Sequence, residues 1–412
     1  MELLLELLAR FLLLPMLVLF ADAAGVLLGG AVLFLESFCA LAGHATLAIS
    51  WKRWRRVRLT FLVLASLAVL AALLLNTVLF EPALRWNLSR WKAKTGIDVA
   101  FQSATGNWLT GRAEFKNLTV RRAGDARTQF DLAAAVARVD VRMTSLLGRE
   151  VSFESVEIAG LRGTFERPAP PGERPRGREF TVDRLVISEA SVLFRDRPVD
   201  EKPAEMKLTL ERLECAPIRR RFAVFDALFR SNAKGTIDGA PFTVRSEGGP
   251  GGRSTFWHAE NLPLRFLADY AGGGFAWFRS GRADFDVTDS WKDGEGREID
   301  SHWKLHLKAP VAEVPATLTG WRRPIATAVA AFVNRHPVNL PLEFDLKINR
   351  DEFDGAVSLE ASGLLAAAGG AVAKRLAELA ELPAETIKEL GRKGLEALKE
   401  ALGRWRRPGK SP

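Results

Sequence analysis

The sequence predicts a mostly β protein tied to a membrane, with an N-terminal transmembrane helix or helices, an amphipathic antiparallel sheet and a C-terminal amphipathic helix. Three observations carry this. Residues 59–80 form a run of 22 without a charge. From Arg112 to about Leu359, apolar side chains recur at every second position in short segments. Past Ala384 they recur at spacings of three and four.

A chain of 412 residues exceeds the ~100–200 of one domain and can bury a sizeable core. With 48% hydrophobic and 26% charged residues it is neither disordered nor collagen-like. One Tyr against 25 Phe and 11 Trp means that its apolar surfaces are built from aromatics without a hydroxyl. Two cysteines, Cys39 and Cys215, exclude a disulfide framework and a four-cysteine zinc site. The formal charge of +9 is unevenly placed: residues 1–50 carry −3, residues 51–58 carry +5 and residues 374–412 carry +4, leaving +3 for the long middle. A nucleic-acid partner would want a basic stripe on the folded part, so none is expected.

Taken in order, residues 1–58 are an apolar N-terminal segment followed by a basic loop. The run Leu3–Ile49 is long enough for a further span, Val26–Ile49 being the best candidate, although Pro15, Asp22, Glu36 and His44 interrupt it. Glu2 and Glu6 open the chain where a cleaved signal peptide would be basic. Residues 59–80 match the ~20 needed to cross ~30 Å of hydrocarbon. Lys52, Arg53, Arg55, Arg56 and Arg58 precede them, so the positive-inside rule puts the N-terminal side in the cytoplasm and everything from residue 81 across the membrane.

Residues 81–167 open the sheet. Ala113 and Phe115, then Leu118 and Val120 after a shift, alternate with polar residues; Val139, Val141 and Met143 do the same, as do Val151 and Phe153, then Val156 and Ile158. Residues 168–178, rich in Pro, Gly and Arg, read as a linker dividing the sheet into a smaller and a larger half. In residues 179–362, strands are expected at 180–187, 191–194, 206–213, 283–287, 299–307, 342–348 and 357–359. The run 248–252 reads as a turn, and short helices are expected at 262–270 and 324–333. Residues 363–412 return to helix. There Leu395, Leu398, Leu402 and Trp405 form an apolar stripe beside Lys399, Arg404, Arg406 and Arg407, as suits a helix on anionic lipid or one packed on the sheet.

Little reaction chemistry is written in the chain. His302 and His306 imitate HxxxH, yet Trp303, Leu305 and Leu307 alternate with them; in a strand, residues four apart are ~13 Å apart, too far to share a metal. Asp284, Asp286 and Asp289 lack the loop of a calcium site and read as the solvated face of a strand. Cys215 has no His nearby in sequence, and no nucleophile elbow, phosphate loop, zincin or dinucleotide motif occurs. Neither an enzyme nor a cofactor is expected. A sheet apolar on one face must cover that face with helices, fold on itself or leave a groove for apolar ligands, and the second half shows few helices to cover it.

Gly106-Asn-Trp-Leu-Thr-Gly-Arg-Ala-Glu-Phe, then the strand running into Ser145-Leu-Leu and the one running to Val156-Glu-Ile-Ala-Gly, resemble the opening of AsmA-like proteins. Asn261-Leu-Pro-Leu-Arg-Phe-Leu-Ala-Asp-Tyr with Ser280-Gly-Arg-Ala-Asp-Phe-Asp-Val, and Val338-Asn-Leu-Pro-Leu-Glu-Phe-Asp-Leu, are similar to later elements of that group. The resemblance covers most of residues 59–365. It implies an inner-membrane anchor and a periplasmic sheet curled into a taco-like groove, related to chorein-type bridge proteins that move phospholipid between membranes, and no catalytic residues. About fourteen strands at ~4.8 Å would give a groove of ~65 Å at most, so a complete conduit calls for an envelope partner or an oligomer.

The function expected from these readings is binding of phospholipid acyl chains in an apolar β-groove, in support of inter-membrane lipid transport or outer-membrane assembly. The residues expected to face the groove are Phe115, Val139, Val141, Phe153, Phe194, Phe285, Trp303, Leu305 and Phe344. The rival reading is a closed β scaffold that docks an assembly partner at the membrane.

Overall fold

The computed structural model describes Val63 and residues 80–382, apart from 108–109, 123–128, 148–149, 168–178, 197–203, 250–251, 272–274, 293–297, 315–321, 337 and 355–363. The expected membrane helix at 59–80 and the basic stripe at 395–407 lie outside the described residues, except for Val63 and Phe80. Among the described residues no helix is long and apolar enough to cross a membrane.

Among the described residues the sheet has sixteen strands: β1 (Ile97–Ala100), β2 (Ser103–Asn107), β3 (Arg112–Arg122), β4 (Gln129–Val141), β5 (Glu150–Ala159), β6 (Arg162–Arg167), β7 (Glu179–Val182), β8 (Leu185–Asp196), β9 (Ala204–Cys215), β10 (Ile218–Arg219), β11 (Ser231–Ile237), β12 (Ala240–Gly249), β13 (Gly252–Pro263), β14 (Phe278–Trp291), β15 (Glu298–Ala312) and β16 (Asn339–Asn349); the strand expected at 357–359 lies outside them. Several are halves of one line. β1 and β2 both pair β3, β5 and β6 both pair β4, and β7 and β8 continue each other along that line. With these merged, the order across the sheet is the order along the chain, from β1/β2 to β16. The outer edges of β1/β2 and β16 pair with no further strand among the described residues.

The sheet is mixed rather than purely antiparallel. β5 pairs β7 and β8, and β6 pairs β8, all in parallel. The expected linker, 168–178, lies outside the described residues, and the strands before and after it belong to one sheet. The strands expected at 180–187 and 191–194 are one line, interrupted at Asp183–Arg184 and uninterrupted from Leu185 to Asp196.

Helices cover the inward face in three places. α1 (Phe80–Thr95) lays Phe80, Leu84 and Leu88 on β1 and β2. α2 (Ala223–Phe229) sits between β10 and β11. α3 (Leu264–Ala271), α4 (Arg322–Arg335) and α5 (Leu364–Leu379) pack on β14, β15 and β16. The small faces of α4 (Ile325, Ala326, Val329, Ala330, Val333) and α5 (Ala368, Val372, Ala373, Leu376, Ala377) recur at helical spacing and are buried in one cluster. The second half is therefore better covered than its sequence suggests, because these alanine-rich faces carry little apolar signal. A larger cluster joins α1 to strands β1–β13, and a third, around Phe225, Phe229, Trp291 and Phe353, touches both halves.

Candidate functional site: the inward face of the sheet

Period-two alternation makes one face of the sheet apolar, and the register carries rows of side chains across it. One row runs Leu210, Gly235, Phe242, Ala259, Phe285, Leu305, Leu342. The next runs Leu213, Ala233, Val244, Trp257, Val287, Trp303, Phe344. Trp303 and Phe344 stack with ring centroids 5.8 Å apart.

All nine expected residues pack within or against the buried clusters, in two environments. Phe115, Val139, Val141, Phe153 and Leu305 are at most 2% exposed. Phe194, Phe285, Trp303 and Phe344 are half-buried, with Leu208, Leu210, Ile237 and Trp257 in the same condition around them. Phe194 packs against the first cluster, Trp303 and Phe344, on the last two lines, against the second, and Phe285 against both. A small apolar crevice of about 10 Å³ opens among Leu118, Val120, Leu132, Ala137, Ile158 and Leu161.

A third row is polar. Thr255, Asp289 and Ser301 stand side by side on β13, β14 and β15, all at most 3% exposed. Asp289 thus departs from the solvated face expected for it: its odd number gives it the parity of Phe285 and Val287, while Asp284 and Asp286 point the other way. Ser301 Oγ donates to Asp289 Oδ1 at 2.5 Å, the Trp257 indole N–H also donates to this carboxylate, and Trp303 Nε1 donates to Ser301 Oγ at 2.7 Å. Burial pushes the Asp289 carboxyl up to about 7, outweighing the two donors. Parity along β14 was the available signal for this residue, masked by two neighbouring acids of opposite parity.

Beside that row, hydroxyls and a thiol reach the carbonyls of the last turn of α2, of which that of Asp226 also accepts the Arg230 N–H at 3.0 Å. Thr255 Oγ1 and Ser246 Oγ donate to the Phe229 carbonyl at 2.8 and 3.0 Å, Ser231 Oγ to Ala227 at 2.6 Å, and Cys215 Sγ to Asp226 at 3.2 Å. Burial pushes the Cys215 thiol well above its usual range, which suits a weak donor and not a nucleophile. The Asp226 carboxylate, fully buried, takes two bonds from the Arg219 guanidinium at 2.6 and 3.0 Å and lies 3.4 Å from Arg230.

The outward face is charged and cross-linked in rows, for instance Glu114 to Arg138 to Glu157 to Arg184 to Glu214. A polar cleft of about 550 Å³ lies there over β2–β5, its arginines and acids already paired with one another. His258 lies between Asp286 (2.6 Å) and Glu260 (3.1 Å), which hold its pKa above the usual value, Asp286 most. His302 and His306 stand on the outward face of β15, His302 between Asp345 and Glu343. Among the described residues no group of three or more His, Cys, Asp or Glu could hold a metal ion. The arrangement is a surface for apolar contact, walled by charge on its far side. In comparison with known proteins, no family model and no curated protein matches the chain.

Proposed function

We propose that this chain is a membrane-anchored, lipid-binding protein of the bacterial envelope, of the AsmA-like kind, and not an enzyme. Residues 59–80 tether it to the inner membrane and the sheet lies in the periplasm. Phospholipid acyl chains lie against the inward face, in support of inter-membrane lipid transport or outer-membrane assembly. One observation carries this reading: the sheet keeps an apolar face through every line, and large side chains on that face, Phe194, Trp257, Phe285, Trp303 and Phe344, are only half covered by protein. Twelve strand lines at ~4.8 Å measure about 53 Å across, so a conduit between membranes would be completed by an envelope partner or further copies.

A specific observation favours a second reading. The buried residues under α1 and the crevice of about 10 Å³ describe a packed core, as a closed scaffold for an assembly partner would have. A photo-crosslinking amino acid placed at Phe285 or Phe344, and at outward Thr288 as control, separates the two in cells. Phospholipid adducts at the inward positions alone support lipid binding. Adducts to a protein, with none to lipid, would establish the scaffold.

A further inference from the structure

α2 and the 3-10 turn Arg350–Phe353 close one end of the inward face. Phe225 and Phe229 each pack edge-on against both Trp291 and Phe353, with centroids 5.5–5.9 Å apart, and against each other, tilted, at 5.0 Å. Arg221 pairs bidentately with Asp354, and the Arg350 guanidinium lies over the Phe222 and Phe225 rings. This plug is short: seven helical residues and a single turn, brought together from distant parts of the chain. Asp289 lies one pleat in from Trp291 on the same strand, and its neighbour Thr255 bonds the last carbonyl of α2.

We propose that the plug opens and closes with the proton of Asp289. With the plug seated, this carboxyl is 3% exposed, one pleat from Trp291, on which Phe225 and Phe229 of the plug pack, with Thr255 and Ser301 beside it. Among the described residues the charged side chains of the packed elements are engaged elsewhere: Asp226 and Arg230 of α2 with each other and Arg219, Asp354 with Arg221, Arg350 on aromatic rings, and the Arg253 guanidinium beside Gly248 of β12, on the far side of β13 from Asp289. An ionised carboxylate there has two hydrogen-bond donors and no counter-charge, so ionisation favours the arrangement that admits water. The inference does not rest on the lipid reading.

The direction follows from linkage. Seated, the carboxyl titrates near 7; opened to water, it returns towards its ordinary 3.8. Between those values the open form is ionised and the seated form protonated, so the opening equilibrium rises about tenfold per pH unit, roughly a thousand-fold in all, and levels above 7. Hydrogen exchange of residues 223–230 in the full chain, in detergent micelles at pH 5 to 8 and corrected for the chemical exchange rate, reads this directly. Protection should fall across pH 5–7 and level beyond, and Asp289→Asn, near in shape but unable to ionise, should be flat. Thr255→Val, which loses a donor to α2, should lower protection at every pH and keep the slope, which distinguishes a loosened plug from a titrating one. A wild-type profile flat across pH 5–7, or the wild-type slope surviving in Asp289→Asn, would overturn the proposal.

Discussion

Gly106 has no room for a side chain. A Cβ there would stand 2.2 Å from Cζ of Phe80, the ring with which α1 lies directly on the backbone of β2. Gly111, at the following turn, has φ +78° and a Cβ position 2.2 Å from the Val141 carbonyl oxygen. Of these two glycines, one thus serves close approach and the other a left-handed turn. Overpacking at the first should be costly: Gly106→Ala is expected to destabilise the fold by ~1–3 kcal/mol in denaturant unfolding. Phe80→Leu in the same chain should recover part of that loss. Equal losses with no coupling between the two positions would show that α1 does not rest on β2 through this contact.

At the level of elements, the sheet is creased. On five neighbouring lines the inward alternation slips by one residue, at Phe115 to Leu118, Ala134 to Ala137, Ile158 to Leu161, Ile187 to Ala190 and Leu210 to Leu213. On three of these lines the slip holds a residue with positive φ: Asn117 (50°), Gly160 (67°) and Glu189 (53°). A left-handed glutamate is strained where glycine is not, so Glu189→Gly should be neutral or stabilising by up to ~1 kcal/mol. Gly160→Ala, whose Cβ would stand 2.9 Å from that of Ala135, should cost ~1–2 kcal/mol. Urea midpoints of the two variants test this, and a shift in the same direction for both would remove the crease as a source of strain. The slip at Phe115 was legible in the sequence because both flanking segments alternate strongly. The slip from Phe153 to Val156 was legible too, and it is a bulge, with Glu154 the extra residue opposite β4. β2 (SATGN), β11 (SNAKGTI) and β13 (GRSTFWHAENLP) were not legible, because small and polar residues carry no alternation and only their neighbours make them strands. The parallel seam was equally hidden, since the direction of a crossover is decided by tertiary packing and not by the linker's composition.

Over the whole molecule, a sheet whose spatial order follows the chain ties each line only to its neighbours, so long-range cooperativity must come from elsewhere. The main cluster spans residues 80–259 and the second spans 264–377, each with its own helices. The third cluster joins them: Phe225 and Phe229 from the first half meet Phe353, Ile299 and Ile348 from the second, clasped by Arg221 and Asp354. Phe353, fully buried, is the residue through which the turn enters that cluster. Replacing it with alanine should cost ~3–5 kcal/mol at the joint. Because the loss falls on the joint and not on either half, denaturant unfolding, expected as a single transition in the wild type, should separate into two in Phe353→Ala. Far-ultraviolet circular dichroism and tryptophan fluorescence, recorded on the same samples, would each show two steps in the variant and one in the parent, since Trp86 and Trp257 follow the first half and Trp277 and Trp303 the second. A single step in both proteins would mean that the ladder between β12 and β14 is itself enough to couple the halves, and that the aromatic plug closes the end of the face without holding the molecule together.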